Sequence, residues 1–214
     1  MKKYVVAPAA LVLPTSLLVS LLAGCASLLG DIGIGTDPMK LDGQVVAVPL
    51  AAQATAGLSA KVDGPKKGTG NKTFTFSDID GSSFASVGTP KKLAQMLGVK
   101  SAELITTDAT QAACNIVDGY SSLVTINSLA LSVTDASTNT FAATASGSFT
   151  ISKAAGIFAV TPNDITLAMT GNFAVLTSGG LNTGTIAFDV SVANAPSNCT
   201  LKLTLKGGTA TIAF

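Results

Sequence analysis

Histidine, tryptophan and arginine are all absent from these 214 residues, and every one of the thirteen basic side chains is lysine. Without histidine there is no Ser-His or Cys-His pair and no His-ligated zinc or haem. No side chain is left whose unperturbed pKa lies near neutrality. Without arginine there is no guanidinium fork for phosphate. Aromatic residues make up only 5% of the chain and no basic stripe occurs, so nothing in it is built to hold nucleic acid. A G-x-S-x-G elbow and an S-x-x-K arrangement with its lysine in place are also missing. The chain therefore reads as non-enzymatic and free of cofactor and metal, the exception being a Ser/Lys or Asp-based hydrolase whose residues no motif marks.

What is present begins at the amino terminus. Met1-Lys2-Lys3 supplies positive charge, and Tyr4 to Gly24 is an almost uncharged apolar stretch ending in small residues, the anatomy of an export signal. The stretch is long enough to span a bilayer, but Pro8 and Pro14 each remove a backbone donor and disturb a helix. Leu22-Ala23-Gly24-Cys25 resembles the lipobox of bacterial lipoproteins, in which the cysteine is lipidated and becomes the new amino terminus. The resemblance implies removal of residues 1–24, acylation of Cys25 and attachment to a membrane. Each buried methylene of the acyl chains would contribute about 0.8 kcal/mol to that attachment. Ala26 after the cysteine, in place of Asp, resembles the class sorted to the outer membrane where a cell has two.

Removing residues 1–24 leaves 190, enough for one domain with a substantial core. Eleven lysines then face twelve acidic residues, a formal side-chain charge of −1. Beyond Cys25 only Cys114 and Cys199 remain. In an oxidising compartment such a pair predicts a disulfide, the alternative being two separate buried thiols.

The body of the chain is patterned for strands. Residues 26–42, "ASLLGDIGIGTDPMKLD", read as a tether that partly docks. Strands are expected at Gln44–Leu50, around Leu58–Val62 and at Lys72–Phe76, with "DGPKKGTGN" as a solvated turn. In "GTPKKLAQMLG", Thr89 can cap a helix, Pro90 suits its first position, Leu93, Met96 and Leu97 share a face, and Gly98 can end it. "DATQAACNIVDG" has capping-box spacing at Asp108 and Gln111 and predicts a second short helix carrying Cys114, or a strand.

From Ser121 onward strict alternation takes over. Phe141, Ala143, Ala145, Gly147, Phe149 and Ile151 form one face of a strand whose other face is Ala, Thr and Ser. Ile186, Phe188, Val190 and Val192 do the same. In Leu123–Val133 the phase slips between Ile126 and Leu129, which a bulge near Asn127-Ser128 would repair. Asp164–Thr177 reads as a strand bent at Gly171, or else as a hairpin there; the bent strand keeps Ile165, Leu167, Met169, Phe173 and Val175 together. At the carboxyl end, a hairpin at Gly207-Gly208 would pair Leu205 with Ala210, Leu203 with Ile212 and Leu201 with Phe214, with Cys199 on the same inward face.

The fold class expected is thus all-β and mainly antiparallel, a sandwich or a closed or partly open barrel with one or two short helices. Residues 1–24 are the signal, 25–42 the lipidated cysteine and tether, and 43–214 a single β domain.

Two motifs fail inspection. "GPKKGTGNKT" looks like a phosphate-binding loop, but Asn71 stands where the motif needs glycine before Lys-Thr, and a strand follows instead of a helix. Asp78 and Asp80 in "SDIDGS" look like a calcium loop, but counting from Gly81 leaves positions one and twelve without a carboxylate, so the stretch reads as a turn, with a loose surface cation site as the alternative. An outer-membrane barrel ending in Phe214 would need aromatic girdles, which are lacking.

Two functions remain. One is an anchored, non-catalytic structural or docking module that meets an envelope protein or polysaccharide through Thr- and Ser-rich faces. The other is a carrier or sensor of a lipid or other apolar ligand, held by the inner face around Phe141, Ala143, Ala145, Gly147 and Phe149, where small residues could leave room.

Overall fold

The structure, a computed structural model, describes residues 32–52, 63–77, 90–106, 114–161, 163–176, 180–196 and 199–214. The lipobox with Cys25, the strand expected at Leu58–Val62 and the Asp78/Asp80 loop lie outside the described residues.

Among the described residues eleven strands follow one another: β1 (Ile32–Thr36), β2 (Val45–Pro49), β3 (Ala51–Ala52), β4 (Asp63–Ser77), β5 (Lys92–Ile105), β6 (Ser121–Thr134), β7 (Thr140–Ala154), β8 (Ile157–Val160), β9 (Asp164–Gly171), β10 (Leu181–Pro196) and β11 (Thr200–Ala213). Each pairing among them is antiparallel, in the order β1-β11-β5-β9-β7-β6-β10-β4-β3, with β2 also on β11 and β8 also on β7. Because β2 pairs β11 while β3, one residue further on, pairs β4, the segment Val45–Ala52 bridges the two ends of the sheet. The result is a nearly closed barrel. Closure suits strands with one apolar and one polar face, since it buries one side and removes exposed edges.

The inward residues are those that alternation picks out. Val124, Ile126, Leu129, Leu131 and Val133 of β6, and Ile186, Phe188, Val190 and Val192 of β10, are all buried. The slip in β6 is a bulge at the expected place: pairing with β7 jumps between Ile126 and Leu129, and pairing with β10 skips Asn127. The Asn127 amide then donates to Asp189 Oδ1 at 3.0 Å and to Ser191 Oγ at 2.9 Å, which fixes the outward turn of the bulge.

Several expectations are corrected. Pro90–Gly98 does not form a helix, and Thr89 lies outside the described residues; from Lys92 the chain is β5, with Leu93, Gln95, Leu97 and Val99 buried and Met96 exposed. The run Leu93-Ala94-Gln95-Met96-Leu97 satisfies both periods, and β5 has strand partners on both edges, β9 and β11, so tertiary pairing overrides local helix signals. In the second stretch read as a helix, residues 114–119 are irregular and end in a turn at Asp118-Gly119. The only helical turn among the described residues is the short 3₁₀ segment Phe173–Leu176.

"DGPKKGTGN" is not a turn but the first half of β4. A Cβ on Gly68 would lie 2.2 Å from the Pro49 carbonyl oxygen, and one on Gly70 2.3 Å from that of Ala47. These glycines let β2 lie against the face of β4, a close backbone approach rather than a change of direction.

Gly207-Gly208 likewise forms no hairpin. β11 runs straight through, and its pairing with β5 shifts between Gly207 and Ala210. Leu201, Leu203, Leu205, Ala210 and Ile212 all face inward as the hairpin reading required. A bulge changes inward parity from odd to even just as a two-residue turn does, so the burial pattern alone does not separate the two. The strand through Gly171 also ends earlier than expected: at φ 126° the chain leaves β9, and Phe173 and Val175 are buried from the 3₁₀ turn.

The segment read as a tether docks from Ile32 onward. β1 pairs with β11, and Met39 and Leu41 are fully buried. Asp37 organises the docking: Oδ1 accepts from the Leu41 N–H at 2.7 Å and from Gln95 Nε2 at 2.9 Å, and Oδ2 accepts from the Asp42 N–H at 2.7 Å.

Candidate functional site

The barrel has two rims. The β1 rim carries the starts of β1, β5, β7 and β10 and the ends of β9 and β11. The opposite rim carries the start of β11 and the disulfide between Cys114 and Cys199, whose Cα atoms are 5.0 Å apart. Cys199 is buried with the parity of Leu201, as its sequence position implied, and Cys114 reaches it from an irregular segment after β5.

The face proposed for an apolar ligand lies along β7. Phe141, Ala143 and Phe149 are buried, and Ala145 and Gly147 are partly exposed. That difference has a cause in the sheet. β7 pairs with β6 along nearly its whole length, but its other edge meets β9 only at Phe141 and Ala142 and meets β8 only from Ile151 to Ala154. Between these contacts runs a seam held mainly by polar side chains. The Asn163 amide donates to the Ser148 carbonyl, the Thr150 N–H donates to Thr161 Oγ1 at 2.8 Å, and the Thr161 N–H donates to the Thr150 carbonyl at 3.0 Å.

The small residues serve this seam. A Cβ on Gly147 would sit 3.2 Å from Ile165 Cδ1 and 3.3 Å from Asn163 Nδ2, so Ile165 of β9 and Asn163 just before it lean into the space that glycine leaves. At the end of the face, Phe141 packs against Phe173 with ring centroids 5.8 Å apart. The geometry brings the five residues together on one face and fills the space above Gly147 with neighbouring side chains.

A second feature was not picked out from the sequence. At the β1 rim an open groove of about 470 Å³ lies where β5, β9 and β11 meet. Ala94 and Ala168, which are register partners, and Ala213 line it with small side chains, Thr170 and Thr211 add hydroxyls, and the nearly buried Leu93, Met169 and Phe173 border it. Lys91 and Lys92 line it and are exposed; among the described residues neither forms an ion pair with a carboxylate. The signal available in the sequence was Lys-Lys ahead of an alternating run, which the helix reading assigned to a first turn.

A third feature mixes hydroxyl, amide and carboxylate groups with alanine. On the outer face of β4, β6 and β10 a shallow depression of about 260 Å³ is lined by Thr69, Asn71, Ser128 and Asp189, beside the Asn127 bulge. Around it the outward rows are hydroxyl-rich, with Thr73 Oγ1 and Thr185 Oγ1 3.4 Å apart. Such a face offers hydrogen bonds and little charge. No cluster of three or more His, Cys, Asp or Glu that could hold a metal occurs among the described residues.

Comparison with protein-family models, with curated proteins and with solved structures finds no match to this chain. The class that fold and site define is a nearly closed antiparallel barrel filled by its own side chains, with a lysine-edged groove at the rim where its first strand begins.

Proposed function

We propose that this chain is a lipid-anchored cell-envelope protein, held at the outer membrane where a cell has two, whose barrel is a non-catalytic structural or docking module. The observation that carries the reading is the place where the chain joins the barrel. Ile32 pairs with Ile212 at the β1 rim, and Cys25 of the lipobox is seven residues earlier. An anchor there orients one rim toward the bilayer and presents the hydroxyl-rich outer faces of β4, β6, β7 and β10 sideways to an envelope protein or polysaccharide. Ile165 over Gly147 favours this reading over a carrier with its ligand on the inner face of β7.

Intact mass spectrometry tests the anchor. The wild-type protein is expected to begin at Cys25 and to carry acyl chains there, and Cys25→Ser to lose both the cleavage and the acyl mass. An amino terminus elsewhere, or an unmodified Cys25, would sink the reading.

A further inference from the structure

We propose that the groove at the β1 rim binds one acyl chain of an anionic membrane phospholipid, with Lys91 and Lys92 facing its phosphate. The inference rests on the anchored reading for its geometry, and three observations carry it.

The first is reach. Seven residues span at most about 25 Å when fully extended, and the chain they lead into, Ile32, lies on β11 beside Thr211 and Ala213, which line the groove. The opposite rim lies twelve residues further along β11, from Ile212 to Thr200, about 40 Å of strand. A membrane tied to Cys25 therefore meets the β1 rim and the groove, and the disulfide rim stays beyond its reach.

The second is shape and lining. The volume of about 470 Å³ falls within the range of small-molecule sites, roughly 300 to 1,000 Å³, and a lining rich in apolar residues, with the hydroxyls of Thr170 and Thr211 among them, has its charged residues, Lys91 and Lys92, adjacent at one end. That is the arrangement an amphiphile needs.

The third is charge. Lys91 and Lys92 are adjacent, exposed and without a carboxylate partner among the described residues, on a chain in which only 12% of residues are charged. Their long apolar stems can lie along the groove while the ammonium groups stay in the headgroup layer. Basic side chains close to an anionic surface each strengthen association several-fold.

The test uses the full protein as extracted, reconstituted in phosphatidylcholine vesicles with or without phosphatidylglycerol. A photoactivatable acyl chain is carried by either lipid, and adducts are mapped by peptide mass spectrometry. Phosphatidylglycerol adducts are expected on the peptides holding Lys91–Ala94 and Ala168–Phe173. Their yield should fall roughly thirtyfold in Lys91→Gln/Lys92→Gln, and Ala168→Trp, at an exposed position, should abolish them without moving the urea midpoint. Adducts scattered over the rim, equal yields from the phosphatidylcholine probe, or yields indifferent to Ala168→Trp would overturn the proposal. Acylated Cys25 with no groove adducts would overturn the groove and leave the anchor standing; groove adducts on a protein without acyl mass would do the reverse.

Discussion

The wall formed by β6, β7 and β10 and the wall formed by β2, β4 and β11 close the same barrel by different means. In the first, long ladders run with a single interruption, at the Asn127 bulge, and stability comes from side chains meeting across strands, as in Phe188 opposite Leu129 or Phe141 opposite Val133. In the second, β2 lies on the face of β4 with glycine beneath it, β11 changes parity at Gly207-Gly208, and a disulfide ties the start of β11 to the chain beyond β5. One wall is built by placing side chains and the other by leaving them out. Only the first kind of wall has a positive sequence signature, and glycine in the second imitates a turn.

The contrast can be broken at three points. Cys114 and Cys199 are 85 residues apart, so replacing both with serine should cost about 4.5 kcal/mol in the chain-entropy picture. Urea unfolding would read this as a lower midpoint, and an unchanged midpoint would mean that the closing wall does not depend on its covalent tie. Next comes Gly70→Ala. Its Cβ would fall 2.3 Å from the Ala47 carbonyl oxygen and 2.8 Å from Val48 Cγ2, so the backbone of β2 has to move, at about 3 kcal/mol. Hydrogen exchange should show β2 and β3 opening ahead of the rest. The smallest effect belongs to the regular wall: Gly147→Ala meets the flexible end of Ile165 at 3.2 Å and should change stability by no more than about 1 kcal/mol, removal of a strand glycine offsetting a slight crowding. If both glycine variants unfold the protein equally, backbone approach does not distinguish the two walls.

Much of the fold was legible. Strict alternation in β6, β7 and β10 identified the inward residues, and at β11 and after Gly171, where connectivity was misread, the buried set held. Leu201 to Leu205 with Ala210 and Ile212, and Ile165 to Met169 with Phe173 and Val175, are buried as expected. What failed was the distinction among devices that share one parity signature: a hairpin, a bulge and a strand end all change which residues point inward. At β5 the failure was of another kind, since Leu93, Gln95 and Leu97 satisfy period two while Leu93, Met96 and Leu97 satisfy a helical face, and local capping residues tipped the reading. Of the candidate sites, the disulfide was visible from cysteine count and parity. The groove was not, because Lys92, Ala168 and Phe173 come from separate strands and a turn and share nothing along the chain.

By itself the sequence determined which residues of β6, β7, β10 and β11 are buried, because the apolar side chains of these strands can leave water only on one face, and that preference is written at every second position. It also determined what chemistry is missing, since no fold supplies an absent imidazole or guanidinium. The tertiary structure decided how the strands join, where β2 crosses β4, which space beside Gly147 is taken by Ile165, and where two lysines come to edge an apolar groove. Those outcomes depend on distances between segments far apart in the chain, and such distances are set only when the sheet closes on itself.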